Sequence, residues 1–315
     1  MNHPLAKDIM VTNLVTLSPD TNVFEALRVL VKNSISGAPV VDREGNYLGV
    51  FSEKCCMRLY DSIARAAREQ HVALPTLPDA RQIMSTKLVK LAPSTDVIKA
   101  IGDLLKHHIS GAPVVDASGH FLGVFSEKTS MSVLIQSAYE QLPSTEVSTF
   151  MNPDPGRTIL EDVHFLDCAK LFRETPYRRL AVLRAGRLAG QVSRRDVLRN
   201  STSLVAMVRD RNVELSVAAA EAGSDEPATT EAADRVGQFL DSEAMTITEE
   251  IDLLGIAQFF LHTPYRRLPV LRDGKLVGQV SRRDVLLATN RLMAVAPARK
   301  PSLLYLSALD TAFHH

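Results

Sequence analysis

Apolar residues recur along the chain in two rhythms that follow one another in a fixed order. At the start, the short apolar run Leu14 to Leu17 is followed by Ser18-Pro19-Asp20-Thr21, a helix entrance with Asp20 or Thr21 as N-cap. Val23, Ala26, Leu27, Leu30 and Val31 then fall at helical spacing and predict a helix with one buried face. Gly37 and Pro39 end that rhythm. Ala38 to Val41 and Tyr47 to Phe51 read as the two arms of a hairpin around the turn residues Asp42 to Asn46. Ser52 caps a second helix, expected to run to about Tyr60. The unit is strand, helix, strand, strand, helix.

The same unit returns three times. Ile35-Ser-Gly-Ala-Pro-Val-Val-Asp42 recurs unchanged at Ile109 to Asp116, and Leu48-Gly-Val-Phe-Ser-Glu-Lys54 recurs at Leu122 to Lys128. Thr175-Pro-Tyr-Arg-Arg-Leu180 recurs at Thr263 to Leu268, and Gly190-Gln-Val-Ser-Arg-Arg-Asp-Val-Leu198 at Gly278 to Leu286. Self-similarity of this length sets the architecture before any other signal. Four α/β repeats are expected, at 5–60, 79–136, 146–200 and 235–290, in two sequence subfamilies, the first with the second and the third with the fourth. Asp273-Gly274 marks a two-residue hairpin in the last one. Residues 58–78 look helical. The segment 201–234, with its acidic stretch 223–231, is expected to be a mobile linker, and 291–315 a tail.

Composition narrows the classes. Lys plus Arg is 36 and Asp plus Glu is 36, so a chain-wide basic footprint for nucleic acid is excluded. No apolar run nears the ~18 residues of a membrane span. The first ten residues lack the apolar core of a secretory signal. Three cysteines, two of them adjacent, suit a reducing cytoplasm better than a disulfide framework. The histidines form no metal-ligand spacing, so no metal is expected. Nothing pairs a nucleophile with a base, so no enzyme is expected either.

The strand-hairpin-helix blocks Arg178-Arg-Leu-Ala-Val-Leu183 to Asp196 and Arg266-Arg-Leu-Pro-Val-Leu271 to Asp284 resemble the CBS domain. The resemblance extends over all four units, about three quarters of the chain. It implies a β-α-β-β-α fold for each repeat. It also implies pairing of the repeats into two Bateman modules that can form a flat disk, and binding of adenosyl compounds. The repeat layout is similar to that of the gamma subunit of AMP-activated protein kinase.

Ser193-Arg-Arg-Asp196 and Ser281-Arg-Arg-Asp284 follow the last strand of repeats 3 and 4. A carboxylate accepts two hydroxyl hydrogen bonds and suits a ribose diol, a role the resemblance implies for Asp196 and Asp284. The same spacing also reads as a helix capping box. Arg178-Arg179 and Arg266-Arg267 open the middle strands and are suited to phosphate. Repeats 1 and 2 carry Ser36-Gly37 and Ser110-Gly111 there, and end their motif in Cys55 and Thr129. Aspartate and arginine are thus gained or lost together, which capping alone does not explain. Val192 and Val280 are expected to line an adenine slot, with Thr158 and the Ala244–Thr246 segment around Met245 as its other wall. Arg195 and Arg283, inside the motifs, complete the candidate set.

The expectation is a non-enzymatic sensor. It would hold AMP, ADP or ATP in a cleft between repeats 3 and 4, act as a homodimer, and signal to an effector protein. A ligand-free interaction scaffold, or a sensor of another adenosyl ligand such as S-adenosylmethionine, is the alternative.

Overall fold

The computed structural model describes residues 4–139, 145–210 and 234–295. Each repeat builds a hairpin: β1 Gly37–Val41 with β2 Tyr47–Ser52, β3 Gly111–Val115 with β4 Phe121–Ser126, β6 Arg179–Arg184 with β7 Arg187–Ser193, and β9 Arg267–Arg272 with β10 Lys275–Ser281. A leading strand runs parallel to each hairpin. In repeats 3 and 4 these are β5 Thr158–Leu160 on β6 and β8 Ile247–Thr248 on β9. In repeats 1 and 2 the expected strand shrinks to one bridge residue each, Leu17 on Val40 and Leu91 on Val114.

The helices follow the apolar spacing. Val23–Lys32 buries Val23, Ala26, Leu27 and Leu30. Its N-cap is Asn22, whose side chain accepts the Phe24 amide at 2.9 Å. Thr21 instead accepts the Ser18 amide in the preceding turn. The helix after Ser52 runs past Tyr60 as Glu53–Glu69 because Ile63, Ala64, Ala66 and Ala67 prolong its buried face. Part of the supposed linker is also helical, Thr202–Asp210, with Leu204 and Met207 buried. The acidic stretch 223–231 and most of the tail lie outside the described residues. Asp273 and Gly274 both take positive φ, 50° and 76°, as a tight hairpin turn requires.

Two cores form, and neither follows chain order. One joins repeats 1 and 3: the Glu53–Glu69 helix packs on Phe165–Glu174, with Tyr60 6.0 Å from the Phe165 ring and its hydroxyl donating to Ser201 at 2.8 Å. The other joins repeats 2 and 4, with Glu127–Tyr139 against Leu253–His262.

The sheets pair the repeats differently. Val11, leading into repeat 1, exchanges two backbone bonds with Gln279 of repeat 4, and Asp241, leading into repeat 4, does so with Val50 of repeat 1. Ser85 exchanges with Gln191, and Asn152 with Val124, between repeats 2 and 3. The glycine in each hairpin makes this approach achievable. A Cβ on Gly49 would stand 2.5 Å from the Asp241 carbonyl oxygen, and one on Gly123 2.6 Å from that of Asn152. Helices join 1 to 3 and 2 to 4, while strands join 1 to 4 and 2 to 3. The four repeats close a ring in the order 1, 3, 2, 4.

Candidate functional site

This ring order changes the site. Repeats 3 and 4 stand diagonally, so their motifs do not share the cleft expected between them. Each faces a repeat of the other subfamily. A cleft of about 270 Å³ opens between repeats 1 and 4. Arg267, Gln279, Ser281 and Asp284 line one side, and Val11, Asn13, Leu14, Val15, Ile35, Gly37 and Pro39 the other. Its size is just below the ~300–1,000 Å³ typical of small-molecule sites. Repeats 2 and 3 are joined in the same way: Arg179 donates to Ser110 Oγ at 2.7 Å, as Arg267 does to Ser36 Oγ at 2.5 Å.

The carboxylates are held in place by the capping geometry. Ser281 donates to Asp284 Oδ2 from its amide at 2.7 Å and its hydroxyl at 2.6 Å, and Ser193 treats Asp196 likewise at 2.8 and 2.6 Å. All of these bonds fall on Oδ2 and none on Oδ1 of Asp284, a residue of the cleft wall. The capping bonds therefore use one oxygen of each carboxylate.

Strand alternation corrects the apolar wall. On β10, Gln279 and Ser281 face the cleft, so Val280 between them faces inward and is wholly buried, as is Val192 on β7. In this cleft the far wall comes from Val11–Val15 and Ile35–Pro39 of repeat 1, and the leading segment of repeat 4 is not part of the lining. Thr158 donates its hydroxyl to the Pro155 carbonyl, and Met245 packs at the edge of the second core.

The arginines divide by role. Arg194 and Arg282, 4% and 6% exposed, donate to the carbonyls of Phe172 and Thr175, and of Phe260 and Thr263. They thereby satisfy carbonyls that a helix C-terminus leaves without partners. Arg195 donates to the Ser34 carbonyl and lies 3.5 Å from Glu53, while Arg283 donates to the Leu105 carbonyl. Both tie a helix of one repeat to its core partner, and Arg283 is not among the residues lining the cleft between repeats 1 and 4. Arg266 pairs with buried Glu127 at 3.3 Å. None of the ion pairs among the described residues involves Arg178. Burial, then the neighbouring Arg194 and Arg266 guanidiniums, pull Arg178 well below the ordinary arginine range. Burial, then Arg266, push Arg179 and Arg267 down to about 10. Six guanidiniums thus crowd a hub where Glu53 and Glu127 are the opposing glutamates.

Those two glutamates and the Ser36 and Ser110 hydroxyls escape a reading that looks for what repeats 1 and 2 have lost. Their signal is present all the same: Ser-Glu-Lys stands in repeats 1 and 2 where Ser-Arg-Arg stands in repeats 3 and 4. Among the described residues, no group of three metal-ligating side chains forms and no helix is long and apolar enough to cross a membrane.

A CBS domain-containing protein of Dictyostelium discoideum is 28% identical over 133 residues, 42% of this chain and 92% of the relative. A Methanocaldococcus jannaschii crystal structure, described as a candidate archaeal homologue of γ-AMPK, covers 90% of this chain and 99% of its own at 20% identity and a TM-score of 0.39. CBSX2 of Arabidopsis thaliana in complex with AMP covers 42% of this chain and 98% of its own, at 27% identity and a TM-score of 0.33. The pattern of the CBS domain matches residues 6–62, 80–129, 147–203 and 236–290. The repeats, their hairpins and that match agree: the chain belongs to the CBS domain family.

Proposed function

We propose that the chain is a non-enzymatic regulatory module that binds a phosphorylated adenosyl ligand, AMP, ADP or ATP, in the clefts between repeats 1 and 4 and between repeats 2 and 3. One observation carries this reading. A single cleft brings together a carboxylate held through one oxygen, a guanidinium and an apolar wall, in Asp284, Arg267 and the Val11–Val15 and Ile35–Pro39 segments. In this reading Asp284 and Asp196 accept the ribose hydroxyls, and Arg267 and Arg179 hold phosphate. Arg178, Arg266 and the hub supply the positive field.

Each cleft has walls from two repeats, and each repeat is packed on a third through its helices. A ligand that binds one spacing of the walls better than another shifts the packing of the whole ring. The readout would be a change in assembly or a partner protein.

Calorimetric titration with a panel of adenosine compounds tests the proposal. Asp284→Ala should weaken binding at one cleft about 10–100-fold, since hydrogen bonds to charged groups contribute roughly 1.5–3 kcal/mol each. Unaltered affinity at both sites would overturn the ribose assignment. The scaffold reading has its own support in the bonds that Arg179 and Arg267 already make to Ser110 and Ser36. Thermal unfolding separates the two: a ligand at ~100 times its dissociation constant adds about 2.7 kcal/mol, whereas a scaffold shows no shift with any of the panel.

A further inference from the structure

The walls of the cleft between repeats 1 and 4 have position-by-position counterparts between repeats 2 and 3, and the two sets are not equal. Val11 bonds to Gln279 and Ser85 to Gln191 in the same reciprocal bridge, so the registers of the two walls coincide. Gly37 and Pro39 are matched by Gly111 and Pro113, and Ser281 and Asp284 by Ser193 and Asp196. Two residues beyond each bridge, however, Asn13 lines the cleft between repeats 1 and 4 while Lys87 holds the matching place between repeats 2 and 3. Lys87 is exposed and takes part in none of the ion pairs among the described residues.

We propose that Lys87 makes the cleft between repeats 2 and 3 the site for the more highly phosphorylated ligand, while Asn13 leaves the other cleft with less discrimination by charge. This rests on the reading that both clefts take an adenosyl phosphate. An amide offers the same neutral dipole whatever the phosphate number. An ammonium held at about 6 Å from the phosphates would gain about threefold in affinity for each added charge in a water-like dielectric, or about tenfold between AMP and ATP, and less as salt screens it.

The experiment uses the full chain with one cleft disabled at a time. Asp284→Ala leaves the cleft between repeats 2 and 3, and Asp196→Ala leaves the other. Each is titrated with AMP, ADP and ATP without divalent cation. The ratio of ATP to AMP affinity should be about tenfold larger in Asp284→Ala. Adding Lys87→Asn should remove that excess, and adding Asn13→Lys to Asp196→Ala should create it. Equal ratios in the two variants, or a ratio indifferent to Lys87→Asn, overturn the inference while leaving the binding reading intact. Absence of binding by any of the compounds to the native chain overturns both. Should either aspartate variant not fold, Lys87→Asn alone decides: one of two sites should lose about tenfold in ATP affinity and keep its AMP affinity, and two unchanged sites refute the proposal.

Discussion

Repeats 1 and 2 set beside repeats 3 and 4 look, as sequence, like a depleted half beside an equipped one. The first pair has Ser-Gly where the second has Arg-Arg, and Cys55 or Thr129 where the second has aspartate. In the fold they are complementary halves. The glycine at the head of β1 leaves room against Ser52, and the residues around it wall the cleft into which Asp284 projects. The glutamates of repeats 1 and 2 sit among the arginines of repeats 3 and 4 at the hub. The loss of one set of groups and the gain of the other are two sides of a heterotypic interface.

The sharpest way to break this comparison is to block the strand exchange. Gly49 has φ 150° and the Asp241 carbonyl against it, and Gly123 has the Asn152 carbonyl, so neither accommodates a side chain without moving backbone. Gly49→Ala or Gly123→Ala should cost about 3 kcal/mol or more in denaturant unfolding, from overpacking and, at Gly49, strain. Native stability in both would show that the repeats do not pair as 1 with 4 and 2 with 3.

A smaller effect is expected at the hub. Glu127→Gln keeps the volume of a nearly buried side chain but removes the charge opposite Arg266, whose own side chain keeps 24% of its surface exposed. Stability should fall by about 1 kcal/mol, about one to two degrees in Tm, and added pyrophosphate should raise the Tm of the variant more than that of the native chain. An equal rise in both would mean that Glu127 does not compete for the anion's place.

The smallest expected effect sharpens the comparison at its other end. Cys55 holds the motif position of Asp196 and Asp284 but is 3% exposed, with its thiol 3.4 Å from Ser52 Oγ. Cys55→Asp should leave the number of ligands bound per chain unchanged in calorimetry. A new site appearing would mean that repeats 1 and 2 lack only that carboxylate.

Local structure was legible from residue order alone. The periodicity of Val23 to Val31, the Asp273-Gly274 turn and the Ser-x-x-Asp motif act through neighbours a few positions apart, and each formed where its spacing predicted. What depends on a distant partner was not legible in this way. Val280 lies between Gln279 and Ser281 along the strand, but which face meets the cleft depends on what packs there. Arg195 and Arg283 belong to the motif by sequence, yet helix packing turns them towards Ser34 and Leu105.

The amino-acid order by itself determined that there are four repeats, that they form two kinds, and that aspartate and paired arginine occur together. Only the tertiary structure decided which repeat faces which. Within a subfamily the hairpin and motif segments are nearly identical, so nothing in them distinguishes one neighbour from another. The choice falls to glycine-sized gaps that admit a particular backbone and to buried charges of opposite sign, both of which act only once segments far apart in the chain have met.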